Sequence, residues 1–396
     1  MEVVAHGARH CAAAGRATLC VLCALAALAV MLTTTAQAAD PSSGQTAAQT
    51  ASAPPAASGL ELAITAREHS DMLPLVRWGD DEVSDALRSR RGGRQLAYVE
   101  HEVRISHGSA SLGRFSLLAR QSATLIASPG AIELAADAGT VGRPAGDRDW
   151  QVHGRYLAFA GSGLGWQHGA ALAPGWRLQG GVQALALRHW RDRLIEGTAS
   201  YVAANAAYRA SLSSFEASDR LLFPYQQPSA GHGQALLFDA ELHWTGPRFS
   251  AGLGLRDAGW LRWKGLPQNL SQLDTDTRTI DASGFVVYQP LVRGQNAQSV
   301  RQRAAPLRVL AVVAWQAGAS TRVEASVEGL RHFGWLPRIG VEQALGDWRL
   351  GAHWHLHERR VTAGLGWRGL QLRVGVDRPG AQMRSRELAL SGSWPL

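Results

Sequence analysis

The chain has 396 residues, 46% of them hydrophobic and only 18% charged, with 14 Trp and 43 Gly. That is too apolar and too aromatic for a disordered protein, and the glycines show no three-residue period, which excludes collagen. The formal net charge of +8 rests on arginine, Lys264 being the single lysine; the arginines are spread along the chain and mostly alternate with apolar residues, so no basic block marks a nucleic-acid partner.

At the start, Arg9, His10 and Arg16 precede an apolar stretch from Leu19 to Leu32, followed by Ala36-Gln37-Ala38. Residues 1–38 therefore read as an export signal cleaved after Ala38. No run of roughly 18 apolar residues comes after it, which excludes a bundle of membrane helices. Cys11, Cys20 and Cys23 all lie in the signal, so the mature chain has no cysteine for a disulfide, a metal or nucleophilic chemistry. Residues 39–59 are Ala, Ser, Thr, Gln and Pro, a flexible linker. Residues 60–94 read as a separate N-terminal segment. Asp80 to Leu87, acidic at its start and basic after it, has the charge order of a short helix ended by Gly92-Gly93.

From residue 95 the pattern has period two. In 348–356, Trp348, Leu350, Ala352, Trp354 and Leu356 alternate with Arg349, Gly351, His353 and His355; 361–367, 370–377 and 387–394 repeat this. Successive strand residues point to opposite faces, so each segment has one apolar and one polar row. The expected strands are 60–67, 95–107, 113–123, 151–169, 176–188, 197–210, 236–245, 248–256, 278–288, 306–316, 320–329, 338–345, 347–357, 360–367, 370–377 and 385–394. Gly346-Asp347, Arg368-Gly369 and Gly246-Pro247 are short turns, hence antiparallel hairpins.

A soluble sandwich would also alternate. Here the polar row mixes Gly, Ser, Gln, His, Arg and Glu, as a barrel lumen does, and Trp150, Trp176, Trp244, Trp315, Trp348, Trp367 and Trp394 fall near strand ends, as in interfacial girdles. The expected fold is all-β: a transmembrane antiparallel up-and-down β-barrel of 14–16 strands over 95–396, with 60–94 a possible partial plug. Its partners would be outer-membrane lipid and the barrel assembly machinery. The pattern speaks against a TonB-type transporter, which needs about twenty-two strands and a plug for which residues 39–94 are too short.

In this pattern residues 95–396 resemble the outer-membrane β-barrels of Gram-negative bacteria. The usual terminal aromatic is displaced: Trp394 is followed by Pro395-Leu396. Asp257-Ala258-Gly259-Trp260-Leu261-Arg262-Trp263 is similar to a D-x-G-φ-φ-x-W segment in a family of uncharacterised barrels grouped with fatty-acid-transporter-like barrels. The resemblance implies a shared fold.

With the C-terminal strand ending in the periplasm, alternation makes 257–277 a long periplasmic loop, carrying Asp257, Gly259, Trp260 and Trp263. That loop would either dock an envelope partner or anchor itself at the inner girdle. Parity turns Arg322, Glu324, Glu328, Arg338, Glu342, Arg349, His353, His355 and Arg373 into the lumen, as a selectivity face or as a salt-bridge filling. His353, His355 and His357 share one face and can offer one or two metal ligands, but closing a coordination shell needs a partner strand; no metal or cofactor is expected. Gly161-Ser162-Gly163 is only a fragment of a hydrolase elbow. The leading expectation is a channel or transporter for small solutes or hydrophobic compounds. A partner-binding barrel of an envelope system is the alternative and a hydrolase the third.

Overall fold

An alternating strand is stable when each of its two rows finds a matching environment, and closing the sheet also removes its edges. The computed structural model describes residues 59–78, 86–88, 92–109, 111–139, 144, 146–223, 231–275, 278–280, 286–288 and 291–395. The export signal, the linker up to Ser58 and residues 80–85 of the expected helix lie outside the described residues.

The strands are β1 (Gly59–Ser70), β2 (Gln95–Ser109), β3 (Gly113–Ala127), β4 (Arg148–Ala173), β5 (Trp176–Val202), β6 (Ala207–Ser218), β7 (Gly233–Thr245), β8 (Phe249–Asp274), β9 (Arg278–Ile280), β10 (Val286–Tyr288), β11 (Val292–Ala304), β12 (Arg308–Gln316), β13 (Thr321–Leu330), β14 (Gly334–Leu345), β15 (Trp348–His355), β16 (Arg360–Trp367), β17 (Leu370–Val376) and β18 (Ser385–Pro395). All pairings are antiparallel, and β1 closes the ring between β18 and β2, with Gly59 opposite both Pro395 and Gly108. The β9–β10 hairpin stands apart. Two wall places are each filled by two strands in succession. β6 pairs with Arg191–Val202 of β5 and β7 with Trp176–Leu187, and both meet β8 on their other side. β11 and β12 likewise pair with successive halves of β8. The result is a closed 14-strand up-and-down barrel of the outer-membrane type. No helix among the described residues is long and apolar enough to cross a membrane.

Three expectations need correction. The barrel starts at Gly59, not at 95: β1 carries Leu60, Leu62 and Ile64 on one row and Glu61, Thr65 and Arg67 on the other, and it is wall. Described residues of the segment between β1 and β2 lie at the barrel's far end, the end opposite the meeting of Gly59 and Pro395. There Met72, Leu73 and Leu87 pack with Ala97, Ala127 and Ile132.

Ile132 belongs to an unexpected helix, α1 (Pro129–Gly139). Pro129 presets the first helical φ, the Ala131 amide donates to Ser128 Oγ at 3.2 Å, and Gly139 ends the helix.

The third correction is the loop 257–277. Residues 249–274 are one 26-residue strand. The run Asp257-Ala258-Gly259, which reads as a turn, is a β-bulge: the register with β7 slips between Phe238 and Ala240, and Asp257 takes a left-handed φ of 60°.

Outside, the barrel shows Val323, Ile339, Val341, Leu350, Trp354, Val361 and Leu372 to the surroundings. At the end where the termini meet, Trp176 lies 6.5 Å from Trp244 and Trp348 stacks on Trp367 at 5.7 Å, with Trp315 also exposed. Trp150 is not in this belt. It is buried towards the far end with Val152, Ala199 and Tyr201, beneath Leu134 of α1.

Candidate functional site

The inside of the barrel has two unlike walls. Along β1, β2 and β12 to β18 it is charged. Arg67 on β1 bridges Glu100 on β2 and Glu328 on β13, both at 3.3 Å. Arg308 on β12 bridges the same two carboxylates, Glu328 at 2.9 Å and Glu100 in closer contact. The four charges alternate around a closed ring with no net charge. Strands β1 and β13 stand six places apart in the wall, so the ring ties facing walls together and spans the lumen. Beside it, a cavity of about 170 Å³ is bordered by Thr65, Arg256, Ser326, Arg338, Arg373 and Glu387, among others.

The inward row includes all nine residues singled out from parity. Arg338 donates to Glu324 at 2.6 Å and to Ser326 at 3.0 Å. Arg322 and Glu342 are register partners, and Arg322 also donates to Ser250 at 3.3 Å. Glu328 belongs to the ring. Arg349 and Arg373 lie opposite Gly366 and Gly364, on the same row. His353 lies over Gly340, where a Cβ would collide with its ring. The His355 ring meets the Arg360 guanidinium at 3.2 Å. Arg360, fully buried, pairs with Glu358 at 2.6 Å and Glu387 at 2.8 Å. Glu358 sits in the β15–β16 turn and accepts the Tyr98 hydroxyl at 2.5 Å. Burial, the largest single influence, pushes its carboxyl up, but the charges of Arg360 and, less strongly, His69, His355 and Arg67 together outweigh it and hold it at about 2.

The opposite wall, β3 to β8, carries a large apolar patch within, beside the ion pairs of Asp257 and Asp192. Leu118, Phe159, Leu185, Leu187, Leu237, Leu261 and Trp263 form one buried cluster. The register places them on the inward row: Gly163 of β4 faces both Leu118 and Leu185, Gln183 faces Leu237, and Gly233 faces both Leu187 and Trp263. The parity argument missed this wall because it sought one polar row per strand. The signal was present in continuous apolar runs such as Ala235-Leu236-Leu237-Phe238, which mean that both faces of a strand are apolar.

The four residues expected in a loop separate on this wall. Trp260 is on the outside and exposed, whereas Trp263 is inside and only 3% exposed. Gly259 lies against the Leu236 carbonyl, with no room for a Cβ. Asp257 turns inward at the bulge and takes both Nη atoms of Arg120 from β3, at 2.5 and 2.6 Å. Its amide donates to Asp239 Oδ1 at 3.0 Å, and Gln183 holds the other Asp239 oxygen at 2.7 Å. Ser162, on the row opposite Gly161 and Gly163, faces outward.

No family model matches the chain, and no curated protein matches it in sequence. Solved barrels resemble it in fold. They include a deltaS2S3 mutant of the monoaromatic hydrocarbon channel TodX, at 10% identity and TM-score 0.40, covering 86% of this chain and 90% of that one. The P. putida toluene transporter TodX gives 10% and 0.37, covering 86% and 89%. The monoaromatic hydrocarbon channel CymD gives 9% and 0.35, covering 85% and 88%.

Proposed function

We propose that the chain is an outer-membrane channel for small, largely apolar solutes, closed in this state by the Arg67–Glu100–Arg308–Glu328 ring. The observation that carries the reading is the apolar inner wall. A membrane barrel is stable with a polar interior, so seven large inward apolar side chains are not required by the fold. In this closed state they are buried against one another; uncovered by opening of the lumen, they would offer an apolar solute a surface on which it partitions out of water, at roughly 25 cal/mol per Å² of contact. The charged wall opposite tethers the lumen shut and can part without disturbing the apolar one. TodX and CymD are monoaromatic hydrocarbon channels, and the apolar wall is the feature of this chain that suits such cargo.

The exposed apolar outside and the Trp belt support a membrane location, reached through the export signal and the barrel assembly machinery. The partner-binding alternative loses its surface, since 257–274 is wall.

Uptake separates the readings. Cells carrying the barrel in their outer membrane are expected to take up dilute toluene faster than cells with an empty vector, with glucose uptake unchanged. Trp263→Ala should slow toluene entry in a barrel that still folds. Faster glucose uptake with unchanged toluene uptake would sink the proposal.

A further inference from the structure

We infer that the far rim of the barrel holds a first-row divalent transition-metal ion, zinc being the reference case, between His69, Asp71 and His357. His69 is the penultimate residue of β1, Asp71 comes directly after that strand, and His357 lies in the β15–β16 turn. The Asp71 carboxylate sits between the two imidazoles: Oδ1 is 3.2 Å from His69 Nε2 and Oδ2 is 3.1 Å from His357 Nε2. The three donor atoms lie within 4.8 Å of one another. A tetrahedral ion bound at about 2.0–2.1 Å sets its ligand atoms about 3.3 Å apart, so these side chains need only small shifts to close on it.

Two imidazoles and one carboxylate form a borderline donor set that suits zinc and its neighbours and does not suit calcium or magnesium. The ligands are held from behind. The Leu96 amide donates to Asp71 Oδ2 at 3.0 Å, the Arg384 guanidinium donates to the Asp71 carbonyl at 2.8 Å, and Tyr98 packs against the His69 ring. Without an ion, His69 Nε2–H donates to Asp71; a metal on Nε2 would displace that proton, leaving the buried Nδ1, which has no hydrogen-bond partner among the described residues, as the protonated nitrogen. A cavity of about 220 Å³, bordered by His69, Asp71, His357, Glu358, Asp377 and Arg378, leaves room for water in a fourth position. An ion there would staple the end of β1 to the β15–β16 turn, three to four wall places away, at the rim above the charged wall. Of the stripe His353, His355 and His357, only His357 takes part, and β1 is the partner strand it needed. His357 leaves the row of the other two and meets ligands from β1.

The full barrel, refolded in detergent and stripped with chelator, is titrated with Zn2+ and separately with Co2+. The expected result is one tight Zn2+ per folded barrel and an intense four-coordinate Co2+ visible band. His357→Ala should weaken Zn2+ binding by more than about tenfold and abolish that band. Heat-dependent gel mobility confirms that the variant folds. If it does not, Asp71→Asn, which keeps the shape, gives the same reading. No zinc on the wild-type barrel, or equal affinity in a folded variant, would overturn the assignment.

Discussion

Arg120 and Asp257 meet through both guanidinium nitrogens across a corner of the lumen, and Asp257 reaches that position only because a β-bulge holds its backbone at φ 60°. The strain and the ion pair depend on each other. A left-handed Asp is tolerated but unfavourable, and the bidentate pair with a nearly buried partner sustains it. Asp257→Ala should cost about 3 kcal/mol, because it leaves the Arg120 charge enclosed without its bidentate partner. Urea unfolding of the refolded barrel measures this. A loss under about 0.5 kcal/mol would show the pair to be incidental.

The ring of Arg67, Glu100, Arg308 and Glu328 makes a separate prediction about permeation. In planar bilayers the wild-type barrel should conduct poorly. Glu328→Ala removes one carboxylate and leaves both arginines with a single acceptor in Glu100, so the facing walls lose half their ties. Conductance or open probability should rise several-fold. An equal effect from Arg368→Ala, an exposed pair at the other end of the barrel, would mean that the ring is no gate.

The apolar wall depends on a glycine. A Cβ at Gly233 would strike the Trp263 ring and come within 2.7 Å of Leu187 Cβ. Gly233→Ala should therefore destabilise by about 1–3 kcal/mol through overpacking, and Trp263→Ala by about 3–5 kcal/mol through the cavity left behind. In the double variant the two should be less than additive, because removing the ring vacates the space that the new methyl needs. Additive losses measured by urea unfolding would contradict the contact.

How much of this was legible depends on how many faces of a strand carried polar residues. From 348 to 394 one row is apolar and the other polar, so strand limits, turns and the inward row can be read from parity. On β7 the run Ala235 to Phe238 makes both rows apolar, and past the bulge on β8 it is the inward row, Leu261 and Trp263, that is apolar while Arg262 and Lys264 face outward; Leu237, Leu261 and Trp263 therefore gave no lumen signal by parity although they line the lumen. The bulge at Asp257 resembles a turn in sequence because both use Asp and Gly at left-handed or crowded positions. In α1 the Ser128-Pro129 start was readable, yet the Ala-rich stretch behind it lacks a strong apolar stripe. The ring could not be foreseen at all, since Arg67 and Arg308 lie 241 positions apart and only barrel closure brings them to common partners.

Glu358 gives the pH dependence a sign. Its carboxyl lies at about 2 in the folded barrel, held there against burial by Arg360. In an unfolded chain it would titrate near about 4.3. A depressed folded value stabilises the barrel wherever the carboxylate is charged. The contribution, about 3 kcal/mol, is complete above about pH 5 and is lost as pH falls towards 2. Arg360 is wholly buried, so protonating Glu358 leaves it with Glu387 as its remaining paired carboxylate. Urea unfolding between pH 6 and pH 3 should show stability falling with acid. Glu358→Gln should lower stability at pH 6 and flatten that slope, while Tyr98→Phe, which removes only the hydroxyl donor at 2.5 Å, should leave most of the slope in place. An unchanged slope in Glu358→Gln would assign the acid sensitivity to other carboxylates of the lumen.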